Sequence, residues 1–232
     1  MGDEYTRKKL LIVFSVLFVV LIVGAFVATV SPPHIERDSV GICVHALSAD
    51  DARLVNASGA GWIRVDVSPD FGAAVVNARA YNLSVLGILG SWMFSKRTMF
   101  TLEEWRGNVT YYVSQYADYV DAWEIWNEPA NPTYPLLALD VSGRENMSQV
   151  VQFYFLMVQV ASPIIRQYDS SAKIVLFGGL NLWSGGAPHL DLDKEFALQL
   201  AAMNVTQYGD ALSVHAYPWG ELVESWVWGN YS

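Results

Sequence analysis

The sequence predicts an α/β fold built on a parallel sheet, and three observations support this prediction. Six short apolar segments alternate with segments that carry helix start and stop signals. Turn residues separate the two kinds of segment, as in repeated βα units. With 232 residues, 53% of them hydrophobic, the chain can bury one core and form one large domain.

The predicted elements follow the chain in order. Strands are predicted at 40–47, 62–67, 84–89, 120–126, 173–177 and 211–216. Helices are predicted at 51–57, from 68–70 to about 81, from 101 to about 116, 147–168 and 192–203. Thr101 and Glu104 have the spacing of a capping box. The Gly178-Gly179 pair is expected to stop the fifth strand.

Both an open doubly wound sheet and a (β/α)₈ barrel fit this alternation. No glycine-rich phosphate loop follows the first strand, which disfavours the nucleotide-binding form of the open sheet. The unusual polar and aromatic residues cluster at the carboxyl ends of strands, where barrel enzymes build their sites. They are Arg64, Asp66, Trp92, Asn127, Glu128, Asn181, His215 and Tyr217. We therefore predict a (β/α)₈ barrel, incomplete, with about six βα units.

Composition narrows the classes of ligand. The net charge is −9 and no basic stripe appears beyond the N-terminus, so nucleic acid is not an expected partner. The 13% aromatic content fits carbohydrate stacking and also an ordinary aromatic core. Cys43 is the single cysteine, which excludes an internal disulfide, and it is expected to be a small buried hydrophobe. The four histidines lack metal-ligand spacing, and neither a metal nor a cofactor is predicted.

The N-terminal segment predicts a membrane anchor. Residues 10–30 carry no charge and would span roughly 31 Å as a helix. Arg7, Lys8 and Lys9 precede them, so the N-terminus is expected in the cytoplasm and the remainder outside the cell. A cleaved signal peptide is the alternative. The predicted organisation is a basic N-terminus at 1–9, an anchor at 10–30, a linker at 31–39 and the barrel at 40–232.

Six Asn-x-Ser/Thr sequons support a surface outside the cytoplasm. They are Asn56, Asn82, Asn108, Asn146, Asn204 and Asn230. The chain has only ten asparagines, so this share is high. A glycosylated surface explains them, and so does chance combined with the turn preference of Asn and Ser.

The stretch Asp121–Pro129 contains the strongest functional signal. Its apolar residues predict a buried strand that Pro129 ends, which places Glu128 at the carboxyl end beside Asn127. Desolvation there would raise the pKa of the Glu128 carboxyl group toward the range of a general acid. A solvated glutamate at a strand end is the alternative. His215 and Tyr217 share one face of the sixth strand, since they lie two residues apart.

The Trp-Glu-Ile-Trp-Asn-Glu-Pro motif resembles the fourth-strand motif of glycoside hydrolase clan A. That group includes the cellulase-like family 5 and the xylosidase-like family 39. The resemblance covers about residues 40–220 and implies a retaining hydrolase of O-glycosidic bonds, with Glu128 as acid/base. It implies further that Arg64, His215 and Tyr217 contact the substrate beside Asn127, and strand-end position or an aromatic face adds three more residues to a predicted substrate-binding set of six. These are Arg64, Trp92, Asn181, His215, Tyr217 and Trp219.

The group's nucleophile is a glutamate on a seventh strand, and the sequence has no equivalent of it. Glu221 and Glu224 lie too close to Tyr217 for the crossover that a parallel strand needs. The chain by itself is therefore expected to be nearly inactive, and a complementing C-terminal chain is a candidate partner. The alternative function is a non-catalytic module that binds glycans or other partners on a degenerate barrel.

Overall fold

The computed structural model describes residues 40–94, 100–131, 147–180 and 190–215. The chain divides into two units, Met1–Glu36 and Arg37–Ser232, and the described residues all belong to the second. The predicted anchor at 10–30 lies outside the described residues. The same holds for three predicted site residues, Asn181, Tyr217 and Trp219.

Six parallel strands form one sheet in the order of the sequence. They are β1 (Gly41–Val44), β2 (Trp62–Asp66), β3 (Ser84–Leu89), β4 (Ala122–Ile125), β5 (Lys173–Leu180) and β6 (Ala211–Val214). Sequential order distinguishes this sheet from a doubly wound one, where the strand order reverses at a switch point. The architecture fits an incomplete (β/α)₈ barrel, so the predicted βα alternation and strand order are confirmed.

Five helices connect the strands. They are α1 (Ala49–Ala57), α2 (Phe71–Ala80), α3 (Leu102–Tyr116), α4 (Met147–Tyr168) and α5 (Leu190–Ala202). The predicted capping box is present, since Thr101 and Glu104 bond reciprocally at the start of α3. A second one, Ser48 with Asp51, begins α1.

The core lies between the central strands and their helices. β3, β4 and β5 are almost wholly buried, and Trp105 and Trp123 are among the largest side chains without exposure. Phe100 packs against Trp105 and Trp126, with ring centroids 6.1 and 5.3 Å away. Such clusters bury large areas, which contribute most of the stability of a domain. The two indoles of the β4 motif therefore belong to the core and offer no face to a ligand.

α4 is the one helix among the described residues that is long and apolar enough to cross a membrane. Half of its most apolar window is buried within the protein, and it contains Pro163. Trp105 Nε1 of α3 donates to the carbonyl of Met157 in α4, with a distance of 3.0 Å. Core helices pass the same test of length and composition, so α4 carries no argument for a membrane span.

Two sequence predictions about β1 and β5 are wrong. Cys43 is exposed rather than buried, because β1 is an outer strand of the described sheet and its residues are exposed or half-buried. β5 does not stop at Gly178-Gly179 but runs on to Leu180. Its pairing with β6 is irregular between Leu176 and Leu180, and both glycines have positive φ, so the pair forms a bulge within the strand.

Candidate active site

An arginine links three of the strands at the carboxyl end of the sheet. Arg64 of β2 donates through Nε to Glu124 Oε2 of β4, with a distance of 2.6 Å. Its Nη2 donates to Asn127 Oδ1 at 2.8 Å, and its Nη1 donates to Cys43 Sγ at 3.4 Å. Arg64 therefore connects β2 to β1 and to β4 with the residues that follow it.

Arg64 is positively charged in the folded protein. Burial alone would lower the pKa of Arg64, but the hydrogen bond and negative charge of Glu124 outweigh burial and hold the pKa above its ordinary value. The Glu124 side chain is fully buried, and its Oε1 has no hydrogen-bond partner among the described residues. Because Asn127 accepts through its oxygen, the amide group presents its NH₂ as the remaining donor.

Glu128 sits in an unusual backbone conformation just beyond β4. Its φ is +48°, and its backbone N–H donates to the carbonyl of Gly178 at 2.6 Å. Its Oε1 shares a hydrogen bond of 2.8 Å with Nδ1 of His215, and its Oε2 accepts from Nδ2 of Asn131 at 2.8 Å. The side chains of Glu128 and His215 are 19% and 15% exposed, so both are held in place while remaining accessible. Left-handed φ at a non-glycine residue is uncommon and often accompanies function.

The glycines of the β5 bulge make room for this pair. A Cβ on Gly179 would lie 2.2 Å from His215 Nε2, and a Cβ on Gly178 would lie 2.7 Å from the carbonyl oxygen of Trp126. Neither distance is possible for real atoms. The residues that predicted the end of a strand are therefore required for close packing between β4, β5 and the residue after β6.

A buried tyrosine joins β4 to β5 at Ile125, three residues before Glu128. The hydroxyl of Tyr154 in α4 donates to the carbonyl of Ile125 at 3.1 Å and accepts from the N–H of Phe177 at 2.7 Å. Burial raises the pKa of Tyr154 above its ordinary value, so the hydroxyl stays protonated and serves both partners. Trp126 and Phe177, beside these bonds, have φ of +67° and +72°. The hydroxyl thus replaces ladder hydrogen bonds where both strands leave regular geometry.

A second polar group lies at the ends of β1 and β2. His45 Nδ1 and Asp66 Oδ2 share a hydrogen bond of 2.7 Å. The Trp92 ring lies 6.2 Å from the His45 ring, and Trp92 is 38% exposed in the short helix Ser91–Met93 after β3. The imidazole is largely exposed, so it and the indole offer polar and apolar surface to a ligand.

The structure brings together most of the predicted site residues that it describes. Two adjoining pairs form: Arg64 bonds to Asn127, and Glu128 bonds to His215. Trp92 lies beside His45. Asn181, Tyr217 and Trp219 lie outside the described residues, so their roles stay predictions. No cluster of three or more His, Cys, Asp or Glu that could hold a metal ion occurs in the described part.

Sequence reasoning missed four residues. These are His45, Glu124, Asn131 and Tyr154. His45 follows β1 and obeys the same strand-end rule as the predicted residues, so the signal was present. Glu124 was visible as a charged residue inside an apolar strand, which calls for a buried partner. Tyr154 gave no signal, because an aromatic residue on an apolar helix is ordinary.

The sequential order of the six strands gives the described part of the chain the architecture of an incomplete (β/α)₈ barrel. The protein is similar to a family 39 glycoside hydrolase from the gut symbiont Bacteroides cellulosilyticus WH2, with 19% identity and a TM-score of 0.54. That match covers 78% of this chain and 39% of the other chain. It is also similar to a Bacteroides uniformis β-glucuronidase, with 15% identity, a TM-score of 0.50, and coverage of 78% and 20%.

These neighbours are glycoside hydrolases of clan A, so the resemblance inferred from the β4 motif is confirmed at the level of the fold. The chain spans about two-fifths of the first neighbour and one-fifth of the second. No protein-family model and no curated protein matches the sequence.

Proposed function

We propose that the protein hydrolyses O-glycosidic bonds in a polysaccharide or oligosaccharide by a retaining mechanism, with Glu128 as the acid/base. The supporting observation is the position of Glu128 at the carboxyl end of β4, half-buried and bonded to His215 and Asn131. A group with this role must hold a proton for the leaving oxygen and then take one from water. The imidazole of His215 is a partner for Glu128 in both states, because its ring nitrogens can donate or accept.

The same arrangement supports sugar binding. Asn127 is oriented by Arg64 so that its NH₂ can donate to a hydroxyl of the sugar at the cleavage point. His45 and Asp66 supply a donor and an acceptor for hydroxyls farther along the substrate, and the exposed face of Trp92 fits the apolar face of a sugar ring. The expected substrate is therefore a carbohydrate rather than a nucleic acid.

A retaining mechanism needs a second carboxylate about 5–5.5 Å from the first. Glu124 is fully buried against Arg64, and the group that the β4 motif resembles carries its nucleophile on a seventh strand, so we assign the nucleophile to residues outside the described set. Glu221 and Glu224 are the candidates within this chain, and a complementing C-terminal chain is the other source. We further propose that residues 10–30 anchor the protein and place this site outside the cytoplasm.

The test compares hydrolysis by Glu128→Gln, by the wild type and by the control Glu103→Gln, which alters an exposed carboxylate on α3. Glu128→Gln should slow cleavage of oligosaccharides by about 10²–10⁴-fold, because it cannot protonate the leaving oxygen. It should spare the first step on aryl glycosides with activated leaving groups. Equal rates for Glu128→Gln and Glu103→Gln on both substrate types would remove Glu128 from the mechanism.

The same assay locates the nucleophile. The 232-residue chain is assayed alone and together with the sequence that follows or complements it. Activity that appears only in the completed protein would place the nucleophile in the added part. Activity of the chain alone that disappears in Glu221→Gln or Glu224→Gln would place it here. Proton NMR of the first anomer released distinguishes retention from inversion.

A second candidate function is a glycan-binding module without catalysis. The observation that favours it is that Asp66 and Glu124, the other two carboxylates placed above at this end of the sheet, bond to His45 and Arg64. Binding of oligosaccharides that survives Glu128→Gln, with no hydrolysis by the completed protein, would support this function over the first.

A further inference from the structure

The sequons are more numerous than the composition of the chain alone predicts. Ser and Thr make up 26 of the 232 residues, so ten asparagines would yield about one Asn-x-Ser/Thr sequence by coincidence. The chain has six. The structure describes four of them, at Asn56, Asn82, Asn108 and Asn204, and shows where on the fold each one lies.

Two of the four occupy matching positions in the fold. Asn82 lies between α2 and the start of β3, and Asn204 lies between α5 and β6. Both therefore sit at the amino ends of parallel strands, opposite to Glu128 and His215. Strands of four to six residues separate the two ends by about 13–20 Å.

Asn82 and Asn204 also share conformation and exposure. Their φ angles are +55° and +57°, and both residues are exposed. The Asn204 side chain makes no capping hydrogen bond with the short helix Val205–Tyr208 that it precedes. A turn in this conformation explains an asparagine, since Asn tolerates it better than other non-glycine residues. The turn conformation does not explain why Ser84 and Thr206, two residues after each asparagine, both carry the hydroxyl group that a sequon requires.

The other two described sequons are built differently. Asn108 lies inside α3, and its Nδ2 donates to the carbonyl of Glu104 at 3.0 Å. Asn56 is half-buried near the end of α1, and the hydroxyl of its Ser58 donates to the carbonyl of Val55 at 2.7 Å. The Asn108 amide and the Ser58 hydroxyl therefore each make a local hydrogen bond within or beside a helix.

We propose that Asn82 and Asn204 are N-glycan acceptor sites that place glycans on the face opposite to the candidate active site. Each Nδ2 would bond to the anomeric carbon of a lipid-linked oligosaccharide. The bond from that carbon to the lipid phosphate breaks, the lipid phosphate leaves, and the amide nitrogen releases one proton to solvent. The glycans would cover the amino ends of the strands and leave the carboxyl ends open to substrate. The sites require that the chain cross the membrane, and they are independent of the catalytic role of Glu128.

The experiment expresses the full chain, with its own N-terminal segment, in a eukaryotic secretory pathway. A C-terminal tag carries an unrelated, efficiently used sequon that reports translocation. Release of glycans by peptide N-glycosidase in ¹⁸O water marks each glycan-bearing asparagine as labelled aspartate for peptide mass spectrometry. Ser84→Ala and Thr206→Ala each destroy one sequon, while Ser84→Thr and Thr206→Ser preserve it with similar effects on the fold.

In the wild type we expect the label at residues 82 and 204. Ser84→Ala should lose the label at 82, and Thr206→Ala should lose it at 204. The matched controls Ser84→Thr and Thr206→Ser should keep both labels. A labelled tag with no label at 82 and 204 would overturn the proposal, because the chain would have met the transferase without modification. An unlabelled tag would overturn it too, since the chain would not cross the membrane.

Discussion

The two ends of the sheet contain the same kinds of charged side chain, bonded to different partners. At the amino end, Asp121 accepts from the N–H of Val85 at 2.8 Å and pairs with Arg79. Asp210 likewise accepts from the N–H of Ile174 at 2.7 Å and pairs with Arg166. Each aspartate thus precedes one strand and satisfies the backbone of the strand beside it.

At the carboxyl end, the hydrogen bonds of the carboxylates described above go to side chains and not to strand amides. Glu124 pairs with Arg64, Asp66 with His45, and Glu128 with His215. A carboxylate bonded to a strand amide cannot exchange that partner without disturbing the sheet. A carboxylate bonded to an imidazole can exchange it for a ligand hydroxyl or a proton. The difference indicates that the amino end serves stability, whereas the carboxyl end is available for function.

The largest expected effect is a difference in stability between loss of the Arg64–Glu124 pair and loss of the Arg79–Asp121 pair. Arg64→Met should destabilise the protein by about 3–5 kcal/mol, because it leaves the Glu124 carboxylate buried without a counter-charge. Arg79→Met should cost about 0–1 kcal/mol, because Arg79 and Asp121 are both partly exposed. Urea unfolding measures both. Equal losses would show that the two ends do not differ in the burial of their charges.

The next largest effect on stability is expected from the Tyr154 hydroxyl, which bonds to β4 and to β5. Tyr154→Phe should cost about 1–3 kcal/mol, because the Ile125 carbonyl and the Phe177 N–H both lose a buried partner. Tyr111→Phe is the matched control, since Tyr111 lies exposed on α3. A midpoint of urea unfolding that is the same for both variants would mean that water or another group replaces the Tyr154 hydroxyl.

A smaller effect concerns ligand binding. Asp66→Asn should weaken oligosaccharide binding about tenfold, which is about 1.4 kcal/mol, because it removes the charge that orients His45. Asp121→Asn should leave the Kd unchanged, because Asp121 lies at the opposite end of the sheet. Titration calorimetry measures both constants. Loss of affinity in Asp121→Asn would contradict the division between the ends.

The smallest effect is a pH dependence. The N–H of Ile174 and then the charge of Arg166 lower the pKa of Asp210. A lowered pKa in the folded state contributes stability above the ordinary carboxyl pKa of about 3.9, and this stability is lost as the pH falls through the folded value. Asp210→Asn should therefore cost about 1 kcal/mol at pH 7 and progressively less below pH 4. The exposed Asp118→Asn is the control, and a difference from wild type that grows in acid would refute the assignment.

Local sequence patterns were sufficient to predict most of the fold. The bounds of α4 and β3 match the predicted segments, and the capping box of α3 is where Thr101 and Glu104 indicated. Such signals act between residues two to four apart, so a single segment contains all of the information. The parallel, sequential order of the strands followed from the alternation of strands and helices.

The sequence by itself determined that polar residues end successive strands and that Glu128 follows Asn127 at the end of β4. Only the tertiary structure decided which of these residues bond to one another. Arg64 meets Glu124 across 60 positions, and Glu128 meets His215 across 87. Such pairings depend on strand register, on the bulge at Gly178 and Gly179, and on the room that glycine leaves for a ring. These are long-range properties, and no periodicity within one segment encodes them.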